Sequence, residues 1–372
     1  MRVVLVTGMH RSARGRSVEE LLTSSARSVT VHHDLEEIGE GTVRRVVRDG
    51  TEGTGGPGET DNRRVDLAHA CATCTLREDL VPFLLRLAKK DAHDLCVVEA
   101  WDGVEPRLIA EAIARESALR LAAVVDAVDS RYLVADLSGD DELSDRGLDI
   151  AEDDDRTVGE VLTRQIEYGA VIDLHGADPG GETQALLEHL NPAAVIAFPE
   201  SRPVDPTRGL FDPESARVRT NPAWAQYRDR RDGRVRTFVW TRTRPLHPQR
   251  FADSLERVLT PSVRGRGRFW LASQTDSLLV WESFGALLMV ENGGPWLHAL
   301  PEAAMELTSE ARRASARLDW DPRTGDRRQH LSFVGVDLDA EALESLLDSC
   351  LATDEETRQE FSTDPFAEFS ER

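Results

Sequence analysis

Over the first two hundred residues, short apolar runs alternate with segments whose apolar positions recur every three to four residues. The runs Val3–Val6, Leu95–Val98, Ala122–Val125, Ala170–Leu174 and Ala194–Ala197 predict buried strands. Between them, Val18–Ala26, Leu76–Lys89, Pro106–Arg115, Val158–Tyr168 and Thr183–Leu190 repeat with a helical period. Strands apolar on both faces, alternating with amphipathic helices, predict a parallel sheet with helices on both faces. Ser17-Val-Glu-Glu20 has the form of a capping box and predicts the start of the first helix.

The pattern changes further on. Glycine-rich Thr51–Arg63 predicts a flexible loop, and Asp136–Asp155 an acidic loop without order of its own. Glu200–Arg234 is rich in Pro, Arg and Asp with little periodicity and predicts a linker. Beyond it, Val235–Trp240, Gly267–Ala272, Ser277–Trp281, Ala286–Val290 and His330–Val336 predict strands, and Pro248–Leu259 and Ala340–Cys350 helices. The organisation expected is an α/β domain over residues 1–200, a linker over 201–234, a smaller α+β domain over 235–352 and a tail over 353–372. That tail is polar apart from Pro365, Phe366 and Phe369, which predict an anchor for an otherwise mobile end.

With 372 residues and 40% hydrophobic content the chain can bury two cores. No apolar run reaches membrane-spanning length and the N-terminus lacks a leader pattern, so a cytoplasmic protein with no membrane partner is expected. The net charge of −22 argues against nonspecific nucleic-acid binding, although Arg228–Arg236 and Arg264–Arg268 leave room for a local basic face. Arg264-Gly-Arg-Gly-Arg-Phe-Trp270 reads either as a nucleic-acid patch with an aromatic platform or as a strand.

Only two lysines, Lys89 and Lys90, stand against 43 arginines. That matters because Met1-Arg-Val-Val-Leu-Val-Thr-Gly8 runs into a turn and a helix through Arg14, Gly15 and Ser17, the layout of a phosphate-binding P-loop. Such a loop needs glycines that close backbone N–H groups on the phosphates, a lysine on the β/γ-phosphates and a hydroxyl on magnesium. Here Gly8 to Gly15 is too long for the pattern and no lysine is near. A second candidate is His69-Ala-Cys71-Ala-Thr-Cys74: two thiols at C-x-x-C spacing opening a helix suit a soft metal ion. Two cysteines do not complete a tetrahedral site, so His69, His32 or His33 would have to supply the rest. Cys96 and Cys350 read as core residues, and His175 and His247 as surface or hydrogen-bonded residues.

His69-Ala-Cys71-Ala-Thr-Cys74-Thr-Leu-Arg-Glu-Asp-Leu80 resembles the Gly-Cys-x-Cys-Cys-Thr-Leu-Arg-x-Asp-Leu signature of CobW-type P-loop GTPases, which handle zinc or cobalt. Asp94-Leu-Cys-Val-Val-Glu99, with Gly103 and Pro106, is similar to that family's Walker B region; Val124-Val-Asp126-Ala, Arg244-Pro-Leu-His247-Pro and Arg266-Gly-Arg-Phe-Trp270 also fit. The resemblance covers nearly the whole chain. It implies a P-loop-type domain followed by a CobW C-terminal domain, a zinc site at Cys71, Cys74 and His69, and a GTP site at Gly8, Arg14, Gly15, Ser17, Glu99 and Asp178.

Every such site is thinned. Arg14 stands at the P-loop lysine, Gly15 at the magnesium-binding Thr, His175-Gly-Ala-Asp178 at the guanine-reading Asn-Lys-x-Asp, and Thr73 at the middle cysteine. GTP with magnesium is therefore not expected in its usual mode, no catalytic residue is assigned, and Glu99 would act only if hydrolysis survives. The pattern, with a tail like Asp364-Pro365-Phe366, resembles an actinobacterial subgroup that, under zinc limitation, recruits a ribosome hibernation factor to the small ribosomal subunit. The alternative it leaves is a GTP-dependent zinc metallochaperone.

Overall fold

A computed structural model describes residues 1–50, 58–151, 154–198, 204–359 and 361–369. The chain divides into two compact units, Met1–Arg217 and Val218–Arg372.

The first unit is an α/β layer structure around an eight-stranded sheet of order β4-β3-β2-β5-β1-β6-β7-β8. The strands are β1 (Arg2–Thr7), β2 (Ser28–Asp34), β3 (Thr42–Asp49), β4 (Gly58–Asp66), β5 (Leu95–Glu99), β6 (Arg120–Asp129), β7 (Val171–His175) and β8 (Val195–Ala197). β2, β5, β1, β6, β7 and β8 run parallel, in register Val3↔Cys96 and Val6↔Val125 at the centre. β3 and β4 extend the sheet antiparallel, so it is parallel-rich rather than wholly parallel. The middles of β1 (Val3–Val6) and β5 (Leu95–Val98) are apolar and buried, as in strands covered by helices on both faces. β2 to β4 mix Val with Thr, His, Arg and Asp and so lack the continuous apolar run of the central strands.

The helices are α1 (Arg11–Thr23), α2 (Val81–Lys90), α3 (Pro106–Ala114), α4 (Ser130–Ser138), α5 (Val158–Tyr168) and α6 (Glu182–Leu190). α2 is preceded by one α-turn over Ala72–Cys74 and a π-helical turn over Thr75–Leu80. No helix among the described residues is long and apolar enough to cross a membrane.

Three expectations are corrected. α1 starts at Arg11, not at Ser17: its first turn closes on the His10 carbonyl, and Ser17 is buried in the helix interior. Of the loop expected over Thr51–Arg63, Gly58–Arg63 belong to strand β4 (Gly58–Asp66), while Thr51–Pro57 lie outside the described residues. The acidic stretch Asp136–Asp155 is ordered where described: Arg146 ties Asp136 and Asp141 together, and Leu143 is fully buried. Further along, the stretch 201–234 carries a helix, α7 (Pro213–Thr220), and a short strand, β9 (Arg230–Asp232).

The second unit is a six-stranded antiparallel sheet of order β13-β12-β11-β14-β10-β9. After β9 come β10 (Val235–Arg242), β11 (Arg264–Leu271), β12 (Gln274–Phe284), β13 (Leu287–Pro295) and β14 (Gln329–Val336), with helices α8 (Pro248–Leu259), α9 (Glu302–Glu306), α10 (Glu310–Asp319) and α11 (Ala340–Ser349). Its arginine-rich strand β11 is interior. Arg264 reaches Glu282 at 2.7 Å and lies over Phe284, Arg268 pairs with Asp319, and Gly267 is obligatory because a Cβ there would sit 2.0 Å from the His330 carbonyl oxygen. The tail clasps this unit. Asp364 accepts hydrogen bonds from Ser273 and Gln274, both at 2.7 Å, and Phe366 sits in an aromatic core with Phe251 and Phe269.

Candidate functional site

The connection from β1 to α1 is three residues long, Gly8-Met9-His10. Gly8 has φ +134°, and a Cβ on it would lie 2.3 Å from the Ala127 carbonyl oxygen; packing against β6 alone demands glycine there. His10 is stitched down on both ring nitrogens. Its Nδ1 accepts the Asp129 N–H at 2.8 Å, so Nε2 carries the proton and donates to Asp136 at 2.9 Å. The N–H groups of Ala13 and Arg14, which a phosphate loop would turn toward its ligand, already donate to the His10 carbonyl.

Arg14 fills what remains. Its side chain is 2% exposed. Nη1 donates to the Gly8 carbonyl at 2.6 Å, Nη2 lies 2.6 Å from an Asp102 oxygen and Nε 3.3 Å from Glu99. The guanidinium thus stands at the mouth of the glycine turn with two carboxylates as counter-ions. Burial pushes the Asp102 carboxyl up, but Arg14 and Arg11 beside it outweigh that and hold it below the usual range. An anion entering here would have to displace this cation from two carboxylates and then sit against them.

The other positions of the implied nucleotide site are put to different use. Gly15 lies in α1 with nothing within 4 Å of where its Cβ would be, so neither packing nor conformation requires glycine. Ser17 Oγ accepts from His175 Nε2 at 2.9 Å and donates to Asp173 at 2.7 Å, while Arg16 donates to His175 Nδ1. Asp178 caps α6 by accepting the N–H groups of Thr183 and Gln184 at 3.3 and 2.8 Å. Gly8, Arg14 and Glu99 therefore meet; Ser17 ties α1 to β7, and Asp178 serves its own helix.

Beside Arg14 opens a cleft of about 890 Å³ lined by His32, Asp34, Glu99 and Asp102 among others. Ala70 reaches its wall, which sets the thiol loop on the rim. Cys71 is the N-cap of the Ala72–Cys74 turn and its sulfur accepts the Cys74 N–H at 3.3 Å. That N–H lowers the Cys71 thiol, while the shared hydrogen bond with Cys71 raises Cys74. His69 Nδ1 approaches Cys74 Sγ at 3.7 Å. One further group joins them, which the sequence pattern did not single out: Glu78. Donor atoms of His69, Cys74 and Glu78 lie within 4.8 Å of one another, against roughly 3.4–3.8 Å between ligands around tetrahedral zinc. An imidazole, a thiol and a carboxylate, with Cys71 adjacent, are a donor set that fits zinc.

His32 and His33 stand outside this cluster. His32 Nδ1 faces the Glu99 carbonyl at 3.2 Å, and buried His33 holds Asp79 at 2.8 Å, where burial outweighs its partner and lowers its pKa. Cys96 is fully buried, which raises its thiol, and Cys350 is buried among α8 and α11 side chains. His247 caps α8.

A parallel-rich sheet whose first strand passes through a glycine turn into a helix, followed by an antiparallel-sheet domain, is the build of a two-domain P-loop-type protein. Residues 235–351 match the cobalamin synthesis protein cobW C-terminal domain. A Mycobacterium tuberculosis protein named as a zinc chaperone is 30% identical over 338 residues, covering 83% of this chain and 81% of its own. The chain belongs to the CobW family. A zinc-regulated GTPase metalloprotein activator of Dictyostelium discoideum is 27% identical over 326 residues, covering 78% of this chain and 66% of its own. Among solved structures, the zinc-bound YjiA GTPase from E. coli aligns over 95% of this chain and 99% of its own, at 14% identity and a TM-score of 0.37.

Proposed function

We propose that this CobW-family protein serves zinc homeostasis as a nucleotide-independent adaptor. The observation that carries the reading is Arg14: a buried guanidinium, neutralised by Glu99 and Asp102, occupies the turn where a phosphate would bind. Zinc, held by Cys71, Cys74 and His69, would serve as an occupancy signal on the cleft rim. The names of the mycobacterial and Dictyostelium relatives support the zinc side of the reading. The partners proposed are a ribosome hibernation factor and the small ribosomal subunit under zinc limitation, in keeping with the eroded motifs and the Asp364-Pro365-Phe366 tail.

Calorimetric titration with GTP and magnesium, with and without zinc, tests the nucleotide side: no heat is expected at millimolar GTP. Co-sedimentation from zinc-starved cells tests the partner, and absence of the protein from small-subunit fractions would remove that part of the proposal. The second reading is a GTP-dependent zinc metallochaperone, favoured by the same relatives' names. It predicts zinc-stimulated hydrolysis that Glu99→Ala abolishes, and equal background rates in both proteins would remove it.

A further inference from the structure

Glu78 and Arg77 give the thiol loop a property that the two cysteines alone do not have. Glu78 lies four residues after Cys74, on the same side of the helical path, where the backbone passes into the π-turn Thr75–Leu80; single π-turns recur at functional sites. Its Oε2 accepts the Ala68 N–H at 2.9 Å, which folds the segment before the helix back so that His69 comes beside Cys74. Its Oε1 is held by Arg77 Nη2 at 3.2 Å, and the same nitrogen lies 3.9 Å from Cys74 Sγ. One guanidinium nitrogen therefore stands against two of the three clustered donors, where a bound cation would gain most.

Arg77 differs from a structural ion pair in one respect: its side chain is 69% exposed. Swinging it into water leaves no buried charge behind and costs little. We propose that Glu78 is a zinc ligand alongside His69, Cys71 and Cys74, and that Arg77 is a displaceable cation that zinc must expel to enter. This rests on the zinc-binding reading above and adds to it the oxygen ligand and the competitor. A site with one carboxylate donor and a built-in competitor binds more weakly than a closed thiolate site, as an exchanging signal requires.

The test is titration of the full-length protein with zinc against a chromophoric chelator, and with cobalt(II) by absorption spectroscopy. Glu78→Gln is expected to weaken zinc binding by at least about tenfold, the lower end of what even outer partners of metal ligands cost. It should also shift the visible cobalt bands while leaving the thiolate-to-cobalt charge-transfer band in place. Arg77→Ala is expected to tighten binding several-fold. Both positions are at least partly exposed, so circular dichroism should report an unchanged fold. If Glu78→Gln binds like the parent while Cys74→Ser does not, Glu78 is no ligand and this proposal falls with the metal site intact. If Cys71→Ser and Cys74→Ser also bind like the parent, the zinc reading itself falls.

Discussion

The glycine turn and the thiol loop lie on one cleft, and each has an arginine where a ligand would otherwise make its contacts. They differ in what surrounds the guanidinium. Arg14 is sealed among Gly8, Glu99 and Asp102, so removing it strands Glu99 and leaves Asp102 with Arg11 alone. Arg77 lies over Cys74 and Glu78 from the solvent side and can leave without stranding anything. Burial alone turns the same side chain into a permanent plug in one place and a removable cover in the other.

The largest expected effect follows from the plug. Arg14→Ala should lose about 3–5 kcal/mol in urea unfolding, the usual cost of leaving a buried ion-pair partner uncompensated. A loss below about 1 kcal/mol would mean that Glu99 and Asp102 are hydrated and the turn is open. Asp126, beneath the turn, sharpens the buried side of the comparison. Complete burial pushes its carboxyl up to about 7. Between roughly pH 4 and 7 the unfolded chain gives up a proton that the folded chain keeps, so this group makes stability fall as pH rises through that window. Asp126→Asn should remove the fall and leave the protein more stable than the parent at pH 8, by on the order of 4 kcal/mol, with no gain near pH 4. Unfolding curves at the two pH values decide it.

Asp178→Ala should cost about 1 kcal/mol as a lost helix cap and leave GTP titrations unchanged. A stability-neutral variant that altered nucleotide binding would return this residue to guanine reading. The smallest effect is at the cover: Arg77→Ala should change unfolding free energy by less than about 0.5 kcal/mol. A larger loss would make Arg77 structural and erase the contrast with Arg14.

The fold was legible where one local pattern was enough. Val158–Tyr168 and Pro248–Leu259 are helices with the bounds their periodicity predicts, because a broad apolar stripe on each meets a core. Strands β2 to β4 were missed because they are rich in His, Arg and Asp, and two of these, His33 and Arg45, stand at buried positions, which hides the alternation. Ser17-Val-Glu-Glu20 misled because a capping motif is indifferent to whether a helix has already begun. What starts α1 is His10, fixed by Asp129 and Asp136 some 120 residues away in sequence.

The sites divide in the same manner. Arg14 was readable at its position, but Glu99 and Asp102 are brought to it only by the β1–β5 pairing. Glu78 gave no signal, since a charged residue on a helix is ordinarily a solvated one. It joins His69 and Cys74 only because the Ala68 N–H anchors it.

The clasp formed by the tail has a consequence for synthesis. The aromatic core of the second unit includes Phe238 at its first long strand and Phe366 near the end of the chain. A nascent polypeptide still holding residues 361–369 in the exit tunnel has made every strand of that sheet, yet lacks the ring that closes its interior. Limited proteolysis of ribosome-stalled chains should find this unit cleavable while residues 361–369 are still in the tunnel and protected once they have emerged.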